Sequence, residues 1–224
     1  MRRLILVRHG ESVYNADARI QGQRCEGLSE LGHSQAKATA AALAATYPDA
    51  RLVMSDLQRT RETMAPLAAA LAREPDEDAR LRERSFGDWE GRLRVEVERD
   101  DPDRWARWVG GEDVIGEIGG ESRTQLIDRV VPVFERLLIG MADDEVTIAV
   151  THGGPVWHGL HRMLGLDQPI LGGVRNCSIT ELGADVGAER PLLRSWNEVG
   201  HLPPELREGW RTRPTSTDGP PVGH

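Results

Sequence analysis

A chain of 224 residues is long enough for one sizeable core, and 39% hydrophobic with 29% charged residues is the mixture of an ordinary globular domain. A formal net charge of −8 argues against non-specific binding to nucleic acid or an anionic membrane, while leaving room for arginines gathered into a local anion pocket. Only two cysteines occur, Cys25 and Cys177, far apart and outside any CxxC pair, so neither a disulfide framework nor a cysteine zinc site is expected and a reducing cytoplasm fits.

The chain opens "MRRLILVRHGESVYN", in which "RLILVR" predicts a continuous buried strand that breaks off at Arg8, His9 and Gly10. The apolar run before Arg8 is too short for a signal-peptide core, and no later run is long enough to span a bilayer, so neither export nor membrane insertion is expected. A helix follows over 29–46 with Ser29 as its N-cap, then a second buried strand near 52–55 and a helix over 56–72. Residues 84–120, with Trp89, Trp105, Trp108 and the glycines of "GGEDVIGEIGGES", predict a partly helical excursion over the sheet edge that could cover a site. A helix over 121–138 leads to a third strand over 145–151, a helix in "PVWHGLHRMLG", and two last strands at "CSITEL" and "LLRSWN". From His201 the prolines at 203, 204, 214, 220 and 221 predict an extended or disordered tail, so residues 1–200 are expected to form one catalytic domain and 201–224 a flexible end. Unalternating strands interleaved with helices predict an α/β three-layer sandwich with a mostly parallel central sheet.

In such a sheet ligands sit outside the carboxyl ends of the strands, which is where Arg8 and His9 lie. The third strand ends the same way, delivering His152 and two glycines, and two histidines with one placement point to chemistry more strongly than either alone. Arg59, early in the helix after the second strand, adds a planar and permanently charged fork suited to phosphate oxygens. A trio of His152, His158 and His161 raises the question of zinc, but no carboxylate or cysteine accompanies it at ligand spacing, so no metal and no cofactor are expected.

Taken in order, "LVRHGES", "GLSELGHSQA", "SDLQRTRET", "LRERSFGDWEG", "GGES" and "VTHGG" resemble the histidine phosphatase superfamily, the phosphoglycerate mutase-like enzymes with an RHG motif. That resemblance implies a phosphoglycerate mutase-like fold in which His9 is the nucleophile that becomes phosphorylated, Arg8 and Arg59 hold the phosphoryl oxygens, His152 completes the pocket and Glu83 is the proton donor. Asn15 and the backbone of Gly153 match positions that contact the phosphate, and Gln21 and Gly22 match a loop near the substrate. Glu11 and Glu90 are weaker candidates for the acid, since neither holds that role in the matching motifs.

The implied activity is metal-independent phosphomonoester hydrolysis through phosphohistidine on a small phosphorylated metabolite, and positive groups in fixed places around an in-line nucleophile are what phosphoryl transfer needs. The alternatives are a phosphoglycerate mutase, disfavoured by the short stretch between Glu83 and His152, and a non-catalytic phosphate-binding protein on the same fold. "LGGVRNCSITEL" followed by "RSWNEVGHL" looks like the end of the actinobacterial glucosyl-3-phosphoglycerate phosphatases, which makes a phosphoglycerate or sugar-phosphate derivative the expected ester. A homodimer through a sheet edge or the excursion is compatible with the family.

Overall fold

The computed structural model describes residues 1–24, 26–140, 142, 144–185, 187–188 and 190–207. Cys25 and the tail from 208 onward therefore lie outside the described residues. Six strands form one sheet: β1 (Arg2–Arg8), β2 (Arg51–Met54), β3 (Asp76–Glu77), β4 (Val146–Thr151), β5 (Ile179–Ala184) and β6 (Leu192–Glu198), in the order β3-β2-β4-β1-β5-β6. The neighbours from β3 to β1 run parallel, and β5 and β6 add antiparallel pairs at one side. The mostly parallel sheet expected from the sequence is therefore observed.

Seven helices are described: α1 (Val13–Ala16), α2 (Glu30–Thr46), α3 (Gln58–Leu71), α4 (Arg94–Asp100), α5 (Pro102–Val109), α6 (Arg123–Ile139) and α7 (Gly153–Leu164). Ser29 and Ser122 cap α2 and α6 by accepting the backbone N–H of Gly32 and of Gln125, each contributing about 1 kcal/mol. Strand β1 shows why the fold has three layers. Leu4 and Leu6 enter a core on the face covered by α6 and α7, while Ile5 and Val7 enter a second core beneath α2 and α3. All four side chains are no more than 1% exposed, and burying each is worth about 1.5–3 kcal/mol.

The excursion builds a third apolar cluster beside the sheet. Trp89, Trp105 and Trp108 meet ring to ring, and Phe86 lies edge-on to Trp108 with centroids 6.1 Å apart. Its outer face is tied by Arg107 to Glu112 and Glu117, exposed pairs that contribute little individually. One expectation needs correction: the chain is not loose from 201. Leu202 is buried, Pro204–Arg207 forms a 3-10 turn, the Gln35 side chain donates to the Leu206 carbonyl, and His201 meets Thr39 at 3.0 Å. Prolines at 203 and 204 suit the start of that turn as well as they suit disorder, and an apolar Leu202 with a groove beside α2 decides between them.

Candidate active site

Register brings the two histidines together. Arg8 pairs with Thr151 across the parallel β1–β4 ladder, so the next residue of each strand is a histidine, and the His9 and His152 rings stand 5.2 Å apart, edge to face. Gly10 follows because the chain there runs against the start of α2: a Cβ on Gly10 would meet the Gly32 carbonyl oxygen at 2.6 Å.

The His9 ring is oriented by its own neighbour. Nδ1 lies 2.7 Å from the Gly10 carbonyl oxygen, which can only accept, so Nδ1 carries the proton and Nε2 keeps its lone pair. Burial, with the charges of Arg59 and Arg8 adding to it, holds this imidazole well below the usual histidine range. The His9 imidazole is therefore neutral at physiological pH, with the Nε2 lone pair free to act as a nucleophile would need. His152, fully buried, is also held low by burial first and then by Arg59. Its Nδ1 accepts from Arg59 Nε at 3.1 Å, which leaves Nε2 to donate to Ser55 Oγ at 2.9 Å.

Both histidines stay neutral on folding yet can charge in the unfolded chain, so below the ordinary histidine value of 6.5 the unfolded state binds more protons. Stability should therefore fall as pH drops below that value, and thermal melts should show the midpoint descending on the acid side, less steeply in His9→Asn. A midpoint flat through that range would contradict two neutral buried imidazoles.

Glu83 is 5% exposed and its carboxyl is raised, by burial above all, against the pull of backbone N–H groups and of Arg59 and Arg8. Its oxygens accept from the N–H of Arg84 at 2.8 Å and of Gly154, in the first turn of α7, at 3.2 Å. A raised carboxyl is poised to give up a proton. The other two acids are occupied elsewhere. Glu11 accepts from the Ser29 hydroxyl beside the α2 cap, and Glu90 Oε1 accepts the backbone N–H of both Gln23 and Phe86.

An open cleft of about 430 Å³ lies over these groups, lined by Arg8, His9, Asn15, Gln21, Gly22 and Glu83 among the residues expected from sequence. Arg59, His152 and Gly153 sit behind that lining. Arg59 is fully buried, and besides His152 it donates to the carbonyls of Gly22 at 2.8 Å and Arg24 at 3.1 Å, so it grips the loop that edges the cleft. Gly22 adopts φ +55°, and a Cβ there would strike Glu90 Oε1 at 2.2 Å, so the loop's path requires glycine. Arg8 reaches the carbonyl of Val174, and burial lowers its pKa to about 10, which leaves it charged at neutral pH. His158 and His161 take no part in the lining: His161 pairs with the Trp157 carbonyl and stacks on the Trp157 ring at 3.8 Å.

Sequence reasoning missed five residues of the lining, namely Arg19, Ile20, Phe86, Arg94 and Trp108, and it missed Ser55 behind His152. Ser55 carried a signal, as a hydroxyl directly after a buried strand at the same sheet end.

A model of the histidine phosphatase superfamily (branch 1) matches residues 4–199. The chain belongs to the histidine phosphatase superfamily. It is 36% identical over 204 residues to the glucosyl-3-phosphoglycerate phosphatase of Mycolicibacterium vanbaalenii, covering 84% of this chain and 87% of that protein. It is 31% identical to a metal-independent phosphoserine phosphatase of Arabidopsis thaliana, covering 89% of this chain and 82% of that one. A solved mycobacterial glucosyl-3-phosphoglycerate phosphatase in complex with VO3 superposes with a TM-score of 0.78 at 33% identity, over 88% of this chain and 99% of that one. This histidine phosphatase thus has the phosphoglycerate mutase-like fold expected from its motifs and falls in the class of phosphoric monoester hydrolases. Among its described residues no helix is long and apolar enough to cross a membrane.

Proposed function

We propose that this histidine phosphatase hydrolyses a small phosphomonoester that carries a second anionic group, with a carboxylated ester of the phosphoglycerate type as its substrate class. The observation that carries the proposal is the cleft itself, where a neutral His9 and a raised Glu83 share a lining with Arg8, Arg19 and Arg94. His9 Nε2 attacks phosphorus, Glu83 gives its proton to the departing ester oxygen, and Glu83 then takes a proton from the water that attacks phosphohistidine, releasing inorganic phosphate. Arg8 faces the developing charge directly, and Arg59 acts from one layer behind, by its charge and by fixing His152 and the loop at Gly22.

Three arginines in the lining exceed what one phosphoryl group needs. Arg94 stands close enough to Arg8 to lower its pKa, which a second anion would offset. Phe86 and Trp108 add an apolar wall for the carbon skeleton between the two anions. The relatives named for glucosyl-3-phosphoglycerate and phosphoserine act, by those names, on esters that contain a carboxylate, which supports the same class. A reducing cytoplasm remains the proposed compartment and a homodimer the proposed assembly, with β6 as the sheet edge available for it.

The test is phosphate release from a panel of glucosyl-3-phosphoglycerate, 3-phosphoglycerate, phosphoserine, sugar phosphates and nucleotides, with and without chelator. Carboxylated esters should lead, chelator should have no effect, and Arg94→Ala should erase roughly tenfold or more of the preference, the scale of one lost charge-assisted hydrogen bond. Sugar phosphates or nucleotides leading, or activity that needs added metal, would contradict the proposal. Interconversion of 2- and 3-phosphoglycerate faster than phosphate release would make the enzyme a mutase.

A further inference from the structure

Between α7 and β5 the chain makes a tight turn over 174–178, "VRNCS", that closes on the Arg8–His9 end of β1. The Val174 carbonyl accepts from the Arg8 guanidinium, and the Ser178 carbonyl accepts the Arg8 backbone N–H at 3.3 Å. The Cys177 N–H donates to the carbonyls of Arg8 at 3.0 Å and His9 at 3.3 Å. Cys177 holds φ +53°, a left-handed conformation that is unfavourable for a non-glycine residue and persists where surrounding bonds over-determine it. Asn197 braces the turn from β6, accepting the Arg175 N–H at 2.7 Å and donating to the Gly173 carbonyl at 2.9 Å.

Within this clamp, Asn176 Nδ2 donates twice, to the His9 carbonyl at 3.0 Å and to Asn15 Oδ1 at 3.3 Å. The second bond bears on the chemistry. A side-chain amide has an accepting end and a donating end of nearly the same shape, and only hydrogen-bond partners decide which end points where. Asn15 Oδ1 also accepts the Ser12 backbone N–H at 3.4 Å, so two donors converge on the oxygen and the Nδ2 end is left toward the cleft that Asn15 lines. A donor suits a phosphoryl oxygen, whereas the flipped amide would present a lone pair to an anion.

We propose that Asn176 is a positioning residue, which fixes the amide of Asn15 with its N–H groups facing the phosphoryl site. The inference rests on the proposed phosphatase reading and on Asn15, which lines its cleft, contacting the phosphoryl group as the family motif implies. Asn176 touches no substrate. It acts through Asn15, and its bond to the His9 carbonyl anchors it on the same strand end that carries the nucleophile.

A double-mutant cycle tests this with inorganic phosphate as the probe, reading its inhibition constant together with the thermal midpoint and the ratio of alkyl- to aryl-ester rates. Asn15→Ala and Asn176→Ala should each weaken phosphate binding roughly tenfold, and the double substitution should be no weaker than Asn15→Ala alone. The ester ratio should stay at the wild-type value, since proton donation by Glu83 is untouched. Asn176→Ser, which keeps a turn-forming residue but cannot reach Asn15, repeats the measurement if the alanine variant folds poorly. Equal losses from Asn176→Ala in both backgrounds, or unchanged phosphate binding in the single variant while Asn15→Ala weakens it, would overturn the inference. Unchanged binding in Asn15→Ala would instead remove the phosphoryl contact assigned to Asn15 and leave the rest of the proposed mechanism standing.

Discussion

Replacing His9 by alanine should lower turnover by roughly four orders of magnitude or more, the scale seen when a covalent nucleophile is removed. The loss should come without unfolding. His9 lies beyond the last residue of β1, and what fixes the strand end is backbone: its N–H donates to the Thr151 carbonyl and its own carbonyl accepts from Asn176 and Cys177. None of those bonds needs the imidazole. Removing the ring also relieves a buried group that folding holds neutral, so the thermal midpoint should change by a few degrees at most near neutral pH. Rapid quenching of the wild-type enzyme should trap an acid-labile phosphoryl group on His9, and mass spectrometry should locate it on the peptide that contains Arg8–His9–Gly10. A label on His152 instead, or turnover that survives in His9→Ala, would reassign the nucleophile. The former outcome conflicts with the geometry, because both His152 nitrogens are engaged, with Arg59 and Ser55.

Glu83→Gln should divide substrates by their leaving groups. An alkoxide departs poorly without a proton, so alkyl esters should slow by about two to four orders of magnitude, whereas aryl esters, whose phenolate leaves unaided, should keep most of their first-step rate. The amide also fails as a base for water, so phosphohistidine should live longer and aryl esters should give a burst followed by slow turnover. The pH dependence has a definite sign. The raised carboxyl must be protonated to act, so alkyl-ester hydrolysis in the wild-type enzyme should decline as pH rises through the Glu83 pKa, and that decline should vanish in Glu83→Gln. Equal losses for both ester classes, with no change in phosphoenzyme lifetime, would move the acid role elsewhere. Glu11 and Glu90 are poorly placed to inherit it, since each is already spent on the local backbone or hydroxyl that it holds.

Much of this was legible in the chain because the signals are local. A strand buried on both faces reads as unbroken aliphatics, and "RLILVR" and "VTIAVT" do; a helix start reads from its cap, as Ser29 does for α2. The short elements escaped. Strand β3 has two residues and α1 has four, lengths at which no periodicity exists to detect. In the site, His9, His152 and Arg8 were legible because a strand end announces them. Arg94 and Trp108 were not, because an excursion folds back by contacts far apart in sequence, and Arg94 meets the cleft only once Trp89 and its neighbours have packed. Asn176 carries no signal in its own stretch of sequence, since its partners, His9 and Asn15, lie more than 150 positions away and come beside it through the antiparallel pairing of β5 with β1.

That pairing bears on how the central strand finds its place. Leu4, Ile5, Leu6 and Val7 are near-interchangeable aliphatics, and both faces of β1 are equally dry. Sliding the strand by one residue would exchange Leu4 and Leu6 for Ile5 and Val7 between two cores that could nearly accept either set, so burial alone discriminates weakly against the slip. The polar end discriminates strongly. A displaced strand would strand the Arg8 guanidinium away from Val174, leave the Cys177 and Asn176 donors without the His9 carbonyl, and drive a side chain into the space that Gly10 keeps open beside Gly32. The segment that carries the proposed nucleophile is thus also the stop against which the strand is aligned, and a register error would be penalised at this polar end of the sheet rather than in the apolar interior.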